Sequence, residues 1–415
     1  MKKIIFSAAA FAVVAVSTAV VAPTTSEAVP AFARQTGAAC ASCHFQAFPT
    51  LTAFGAAFKR GAFTDVGEQA LTEDDGLSIT SVLNMSINSR IRFIKQQTTT
   101  VTGGVNGSAT VNMSQMPDET PIFIGGRIGT NTGAFFEYTG GTAGGWQLFN
   151  SFDAGDYKVG LNMFNGGFGW TWGLETSNVF SQHGGMHQGK NIAAQEQVMG
   201  GSNQGVTAYM GNDLITASVV LTTAGGTGVN AQNFLTTLLP GLRVWFTPEV
   251  AGWNLGMGVG VIKGSKAVAA TGTGAATTTV QANNTFVDFQ AMGEVGDMSV
   301  GVFADYSTAK ATAAVGLLSL NGLTAGQKYD GYSVRTSVEP VHGVILSLGY
   351  GSQTIAAGAA ADQTTTYLTS GISYSIYQNF EVALTHQIQS INNVGNVAGD
   401  TSKVKTTMLQ VEAVM

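Results

Sequence analysis

Residues 77–94 read LSITSVLNMSINSRIRFI. Ile79, Leu83, Met85, Ile87, Ile91 and Phe93 share one parity; Thr80, Asn84, Ser86, Asn88, Arg90 and Arg92 share the other. A period of two marks a strand with two different faces. In a membrane barrel the apolar parity faces lipid and the polar parity faces the lumen. The same pattern recurs along the chain and predicts about sixteen strands, at 77–94, 120–129, 133–142, 145–153, 156–165, 204–211, 213–222, 240–247, 251–263, 284–295, 297–308, 328–338, 342–354, 364–376, 379–391 and 402–414. The connections alternate in length. Short ones include Thr130-Asn131-Thr132, Ala154-Gly155, Asn212, Pro248-Glu249-Val250, Gly296, Glu339-Pro340-Val341 and Tyr377-Gln378. The others, such as 95–119, 166–203, 223–239, 264–283 and 309–327, are longer and rich in Gly, Thr and Ala. Short periplasmic turns and longer outside loops are the habit of outer-membrane barrels. The expected fold class is therefore all-β: a transmembrane antiparallel barrel of about sixteen strands, with an even strand number that puts both ends in the periplasm. The final strand alternates through Leu409, Val411, Ala413 and Met415, although such barrels commonly end on an aromatic residue.

Composition agrees. Charged residues make up 11% of the chain, against roughly 25% in ordinary soluble domains. Glycine accounts for 54 of 415 residues. A soluble all-β secreted protein would need a more charged surface. After the N-terminal segment, no stretch stays apolar for the ~20 residues a membrane helix needs. Residues 1–28 read as a secretory signal: Lys2 and Lys3, an apolar run from Ile4 to Ala22, then Ser26-Glu27-Ala28 as an A-x-A-like cleavage site. Pro23 and the Thr24-Thr25-Ser26 run argue against a retained anchor helix. The net charge of −6 and the lack of a basic cluster give no sign of a nucleic-acid partner.

The two cysteines of the chain, Cys40 and Cys43, stand in Cys-Ala-Ser-Cys-His, residues 40–44. C-x-x-C-H is the attachment signature of c-type haem. Each thiol adds to one vinyl group, and His44 then falls beneath the iron as proximal ligand. A structural zinc site would want four ligands where this motif offers three. A thioredoxin-like pair would need a βαβ setting, and a plain disulfide leaves His44 without a role. One covalent haem c is the expected cofactor. The chain divides into 1–28, a haem segment at 29–76 and the barrel at 77–415. Within Pro49–Arg60, Leu51, Phe54 and Phe58 lie at helical spacing and form a stripe suited to a porphyrin or to any apolar surface. So short a segment rarely supports its own core, which makes the barrel lumen the expected second wall.

Arg90, Arg92, Arg127, Arg243, Arg335 and Lys158 fall on the polar parity of their strands. They suit either a water-filled porin lined with charge or, for Arg90, Arg92 and Arg127, pairing with haem propionates, since Arg binds carboxylates bidentately. His342 and His386 fall on the lipid parity near strand ends. His183, Met186 and His187 lie in the longest connection, within Gln182-His-Gly-Gly-Met-His-Gln188. They are candidates for the sixth iron ligand or members of an ordinary outside loop.

Residues 30–63 (PAFARQTGAACASCHFQAFPTLTAFGAAFKRGAF) resemble the start of a known family, the outer-membrane monohaem cytochrome–porin fusions of iron-oxidising bacteria. The FARQTG run, Cys40-x-x-Cys43-His44, Phe48-Pro49-Thr50-Leu51 and Phe54-Gly55-x-x-Phe58-Lys59 carry the resemblance. A second patch does so too, Ile124-Gly125-Gly126-Arg127-Ile128 through Gly133-Ala134-Phe135. The rest of the barrel matches in pattern alone. The resemblance implies haem ligation by Cys40, Cys43 and His44. It also implies an iron:cytochrome c oxidoreductase that oxidises extracellular Fe(II) by outer-sphere transfer and passes electrons to a periplasmic cytochrome or other carrier. A conduit for another donor, such as reduced sulfur compounds, stays open. So does a diffusion porin with a tethered periplasmic cytochrome.

Overall fold

The structure, a computed structural model, describes residues 31–46, 50–65, 72–73, 78–79, 84–139, 142–165, 204–223, 238–268, 278–312, 317–319, 323–358, 360–377 and 379–415. From Met85 onward the chain closes into a 16-strand antiparallel barrel. Its first half is β1 (Met85–Thr102), β2 (Val105–Glu119 continued by Ile122–Gly129), β3 (Thr132–Thr139), β4 (Thr142–Ala154), β5 (Tyr157–Asn165), β6 (Gln204–Gly211), β7 (Ile215–Thr222) and β8 (Leu239–Phe246 continued by Glu249–Val250). Its second half is β9 (Trp253–Val268), β10 (Thr278–Val295), β11 (Met298–Lys310), β12 (Lys328–Val341), β13 (Val344–Ala356), β14 (Gln363–Tyr377), β15 (Phe380–Asn392) and β16 (Thr401–Val414). Both parts of β2 pair with β1, through Arg92↔Gln115 and Ile87↔Ile122. The break between them holds Pro121, which has no N–H for the ladder but accepts from the Asn88 N–H at 3.0 Å. The ring closes where β16 pairs with β1, from Thr401↔Val101 to Val414↔Asn88.

The faces separate as lipid and water demand. Outward stand Phe93, Leu161, Val219, Leu242, Val287, Leu348 and Leu368, all exposed. Inward stand Ser86, Asn88, Arg90, Arg92, Thr207, Arg243, Ser333 and Arg335, all buried. An unbroken ring of backbone pairing with an apolar outer face is what a strand-built protein needs to cross hydrocarbon. This is an outer-membrane barrel. Among the described residues no helix is long and apolar enough to cross a membrane. Tight turns join the strands at one end, including Gly155-Asp156, Ala251-Gly252, Gly296-Asp297 and His342-Gly343; this is the periplasmic end.

Several elements differ from the sequence expectation. Residues 95–119 are not a loop: β1 and β2 continue as a tall hairpin around Gly103 and Gly104, whose φ of 56° and 79° make the two-residue turn favoured between twisted strands. In the same way β9 and β10 run on to Val268 and from Thr278 through the stretch expected as loop 264–283. The reason is physical. Above the lipid band Lys95, Gln97 and Thr99 point out while Gln96 and Thr98 point in, so both faces are polar and the period-two signal vanishes although pairing continues. Barrel pairing begins at Met85, later than residue 77, and Ser78–Ile79 pairs with Thr72–Glu73 in a separate ladder. Leu317–Ser319, expected in a loop, pairs in parallel with β10. His342 is a turn residue and not lipid-facing; its side chain is 92% exposed, with Nδ1 3.4 Å from Glu339 Oε1. His386 does point outward and shares a 2.9 Å hydrogen bond with Thr407 Oγ1.

The N-terminal segment folds into three short helices, α1 (Ala31–Thr36), α2 (Cys40–Cys43) and α3 (Ala53–Arg60). The Thr52 hydroxyl caps α3 by accepting from the Gly55 N–H at 3.1 Å. The helices pack on the inner wall near its periplasmic end. Phe32, Phe58 and Phe63 meet Phe135 of β3, Phe149 of β4 and Tyr209 of β6. The Phe32–Phe63 centroids are 4.8 Å apart, Phe32–Phe135 5.7 Å and Phe63–Phe149 5.2 Å. Such pairs add about 0.5–1.5 kcal/mol each beyond the area they bury.

Candidate functional site

Cys40 and Cys43 occupy the two ends of the single turn of α2. The His44 N–H closes that turn on the Cys40 carbonyl at 2.9 Å, and His44 itself is extended, with φ −118° and ψ 132°. A return strand fixes it from behind. Phe45 N–H donates to the Thr50 carbonyl at 2.9 Å, Thr52 N–H to the Cys43 carbonyl at 3.0 Å, and the Thr52 hydroxyl to the Ser42 carbonyl at 2.7 Å. α3 crosses the motif so closely that a Cβ on Gly55 would lie 2.2 Å from the Cys43 carbonyl oxygen. Only glycine fits there.

Both sides of the lumen hold this segment. On one wall, Gln35 Nε2 donates to the carbonyls of Phe63 and Asp65 at 2.6 and 2.8 Å. Its Oε1 accepts from Asn84 Nδ2 and from the Arg127 backbone N–H, each at 3.0 Å. Arg34 donates to the Met85 carbonyl, Tyr209 Oη donates to the Arg60 carbonyl at 2.7 Å, and Arg60 pairs with Asp213 at 2.5 Å. On the other wall, Gln46 Nε2 donates to the Ser299 carbonyl at 2.9 Å and to its hydroxyl at 3.1 Å. The Ser337 hydroxyl donates to Gln46 Oε1 at 2.6 Å. Gln46 has φ 59°, a left-handed conformation that these bonds offset. β2–β3 and β11–β12 stand on opposite sides of the ring, so residues 31–65 straddle the periplasmic mouth.

The residues of the motif fit a c-type haem. Neither cysteine is in a disulfide. Burial pushes both thiols above their ordinary value; for Cys40 its own backbone hydrogen bond opposes the shift, and for Cys43 the neighbouring Cys40 adds to it. Two thiols on one turn, an imidazole directly after them, and an adjacent aromatic, Phe54, left 49% exposed are the donors and cover such a group takes. Of the predicted stripe, Phe58 is spent on the barrel wall and Phe54 remains available. Among the described residues no three His, Cys, Asp or Glu side chains form a metal site.

The lumen arginines are engaged with the barrel's own acids. Arg92 Nε donates to Gln410 Oε1 at 2.8 Å and its guanidinium pairs with Asp118. Arg90 Nε lies 4.0 Å from Glu412 Oε2. Arg243 grips Asp288 with two bonds of 2.7 and 3.1 Å, and Arg335 lies 3.9 Å from Asp305. Arg127 reaches the haem segment by its backbone, while its Nε donates to the Gly129 carbonyl at 3.4 Å. Lys158 pairs with Asp153 at 2.6 Å near the periplasmic rim. His183, Met186 and His187 lie outside the described residues. Sequence reasoning missed Gln35, Gln46 and Tyr209, which have partners far away in the chain.

No protein-family model matches the chain, and no curated protein matches it. Among solved structures the chain is similar to the outer-membrane channel DcaP of Acinetobacter baumannii, at 11% identity and a TM-score of 0.49, with 84% of this chain and 100% of that one covered. It is similar to the outer-membrane protein OmpT of Vibrio cholerae, at 12% identity and 0.45, with 84% and 100% covered. It is also similar to OmpF of Salmonella typhi, at 12% identity and 0.42, with 82% and 99% covered.

Proposed function

We propose that this porin-like barrel is an electron-transfer protein. Cys40, Cys43 and His44 would hold a c-type haem and so place it between an extracellular donor, Fe(II) first among the candidates, and a periplasmic carrier. The observation that carries this reading is that the Cys40–His44 turn is built into the lumen at the periplasmic mouth and held from opposite walls. A haem supplies a one-electron centre. The chain's own residues do the rest. The two cysteines would attach the group, His44 would bind its iron, Phe54 would exclude water, and Gln46 holds the loop after His44 against β11 and β12. The hydrocarbon core is about 30 Å thick, so a centre at the periplasmic mouth needs the polar lumen above it as the donor's way in. Outer-sphere transfer asks for no iron ligands from the wall. Stopped-flow mixing of the purified, haem-loaded barrel with Fe(II) and with reduced sulfur donors tests the reading. Haem reduction by Fe(II) supports it; a haem that no donor reduces sinks it.

A second reading, a diffusion porin that carries a cytochrome segment, rests on the polar lumen wall with its paired arginines and acids. Single-channel conductance separates the two. A large, steady pore favours the porin.

A further inference from the structure

We propose that the outer end of the β15–β16–β1 wall is a binding patch for the phosphate groups of the outer leaflet's glycolipid. The three strands align outward-facing residues in rows. Val382, Val411 and Ile91 form one row, and Leu384, Leu409 and Phe93 the next above it. These rows belong to the lipid band. The row above is His386, Thr407 and Lys95; then come Ile388, Lys405 and Gln97, and then Ser390, Lys403 and Thr99.

The hydrocarbon face thus ends, within one residue pair, in three lysines on two neighbouring strands. Lys95, Lys403 and Lys405 are exposed, and the described residues include no carboxylate within ion-pair reach of them. Lys405 stands diagonal to Lys95 and two residues from Lys403 on one strand face; like charges so placed repel, so the protein alone gives no reason to gather them. An anionic layer at that height does. The patch lies at the end of the barrel opposite the tight turns, which is the outer leaflet. Gln97 and Ser390 add amide and hydroxyl donors between the ammonium groups, while the Thr99 and Thr407 hydroxyls are bonded to the Lys403 carbonyl and to His386. Point charges flanked by neutral donors suit phosphate. In the outer leaflet the phosphorylated lipid is lipopolysaccharide, and we commit to it.

The experiment uses the purified full-length barrel in detergent, with purified lipopolysaccharide as probe. Wild-type protein binds it. The triple variant Lys95→Gln, Lys403→Gln, Lys405→Gln binds about a hundredfold more weakly, since each lysine near an anionic surface contributes roughly a fivefold factor. The matching triple arginine variant stays within about threefold of wild type, which shows that charge, and not a folding defect, carries the effect. Lipopolysaccharide stripped of its lipid A phosphates binds wild type as weakly as it binds the glutamine variant. Equal binding of intact lipopolysaccharide by wild-type and glutamine proteins would overturn the proposal. So would wild-type binding to phosphatidylglycerol vesicles as tight as to lipopolysaccharide.

Discussion

A methyl group on Gly133 of β3 would stand 2.0 Å from the carbonyl oxygen of Ala62. The lumen wall and the N-terminal segment touch there backbone to backbone. Overpacking of this kind costs about 1–3 kcal/mol, and the turn at Ala62 and Phe63 must draw back from β3 to relieve it, loosening the segment's hold on the wall. Gly133→Ala is expected to raise single-channel conductance and to expose residues 31–65 to protease. Gly129→Ala, where an added Cβ has no neighbour within 4 Å, should do neither. Unchanged conductance and cleavage in both variants would refute the tight fit.

The proposed haem attachment uses both thiols. A denaturing gel stained for haem peroxidase should light up at the full-length band, and Cys43→Ala should lose most of that signal while the protein band persists. Full staining of the variant would count against the assignment.

Gln46 tests position separately from attachment. Gln46→Ala removes three hydrogen bonds to Ser299 and Ser337, each worth about 0.5–1.5 kcal/mol. Haem staining should stay at the wild-type level while the reduction potential and the visible spectrum shift. A variant with unaltered potential and spectrum would show that the latch does not govern the His44 side.

The raised thiols give a pH dependence. Thiolate is the reactive form. Because burial moves Cys40 and Cys43 upward, protein prepared without haem should alkylate slowly at neutral pH and speed up as pH rises through the raised values. The unfolded chain should react faster at the same neutral pH. Equal rates for folded and unfolded chains would contradict the buried environment.

Topology can be read on cells. A tag inserted between Val268 and Thr278 should be labelled on intact cells, and one at Gly296-Asp297 only after the outer membrane is opened. The reverse result inverts the barrel.

What was legible in the sequence was whatever is local. Cys40, Cys43 and His44 are one turn of chain, so their juxtaposition reads directly. Ile87, Asn88, Arg90 and Ile91 alternate because lipid and lumen press on opposite faces of one strand. Where that contrast ends, at Lys95, the strand continued unseen, although Gly103-Gly104 was a usable turn signal. The polar partnerships were not legible at all. Arg92 with Asp118 and Gln410, or Gln46 with Ser299 and Ser337, are set by register between strands far apart in the chain, and no spacing in one sequence encodes that. In the same way the sequence marked Arg90 and Arg92 as lumenal without showing that Glu412 and Asp118 stand beside them.

The two tall hairpins, β1–β2 and β9–β10, stand half a circumference apart. From Lys95 to Thr102, β1 climbs about 20 Å above the lipid band, given ~3.4 Å per residue and a tilt near 40°. Among the described residues both hairpins carry paired strand with two polar faces above the hydrocarbon, on opposite sides of the opening. A solute arriving from outside therefore meets hydrogen-bonded polar strand before it meets the lumen.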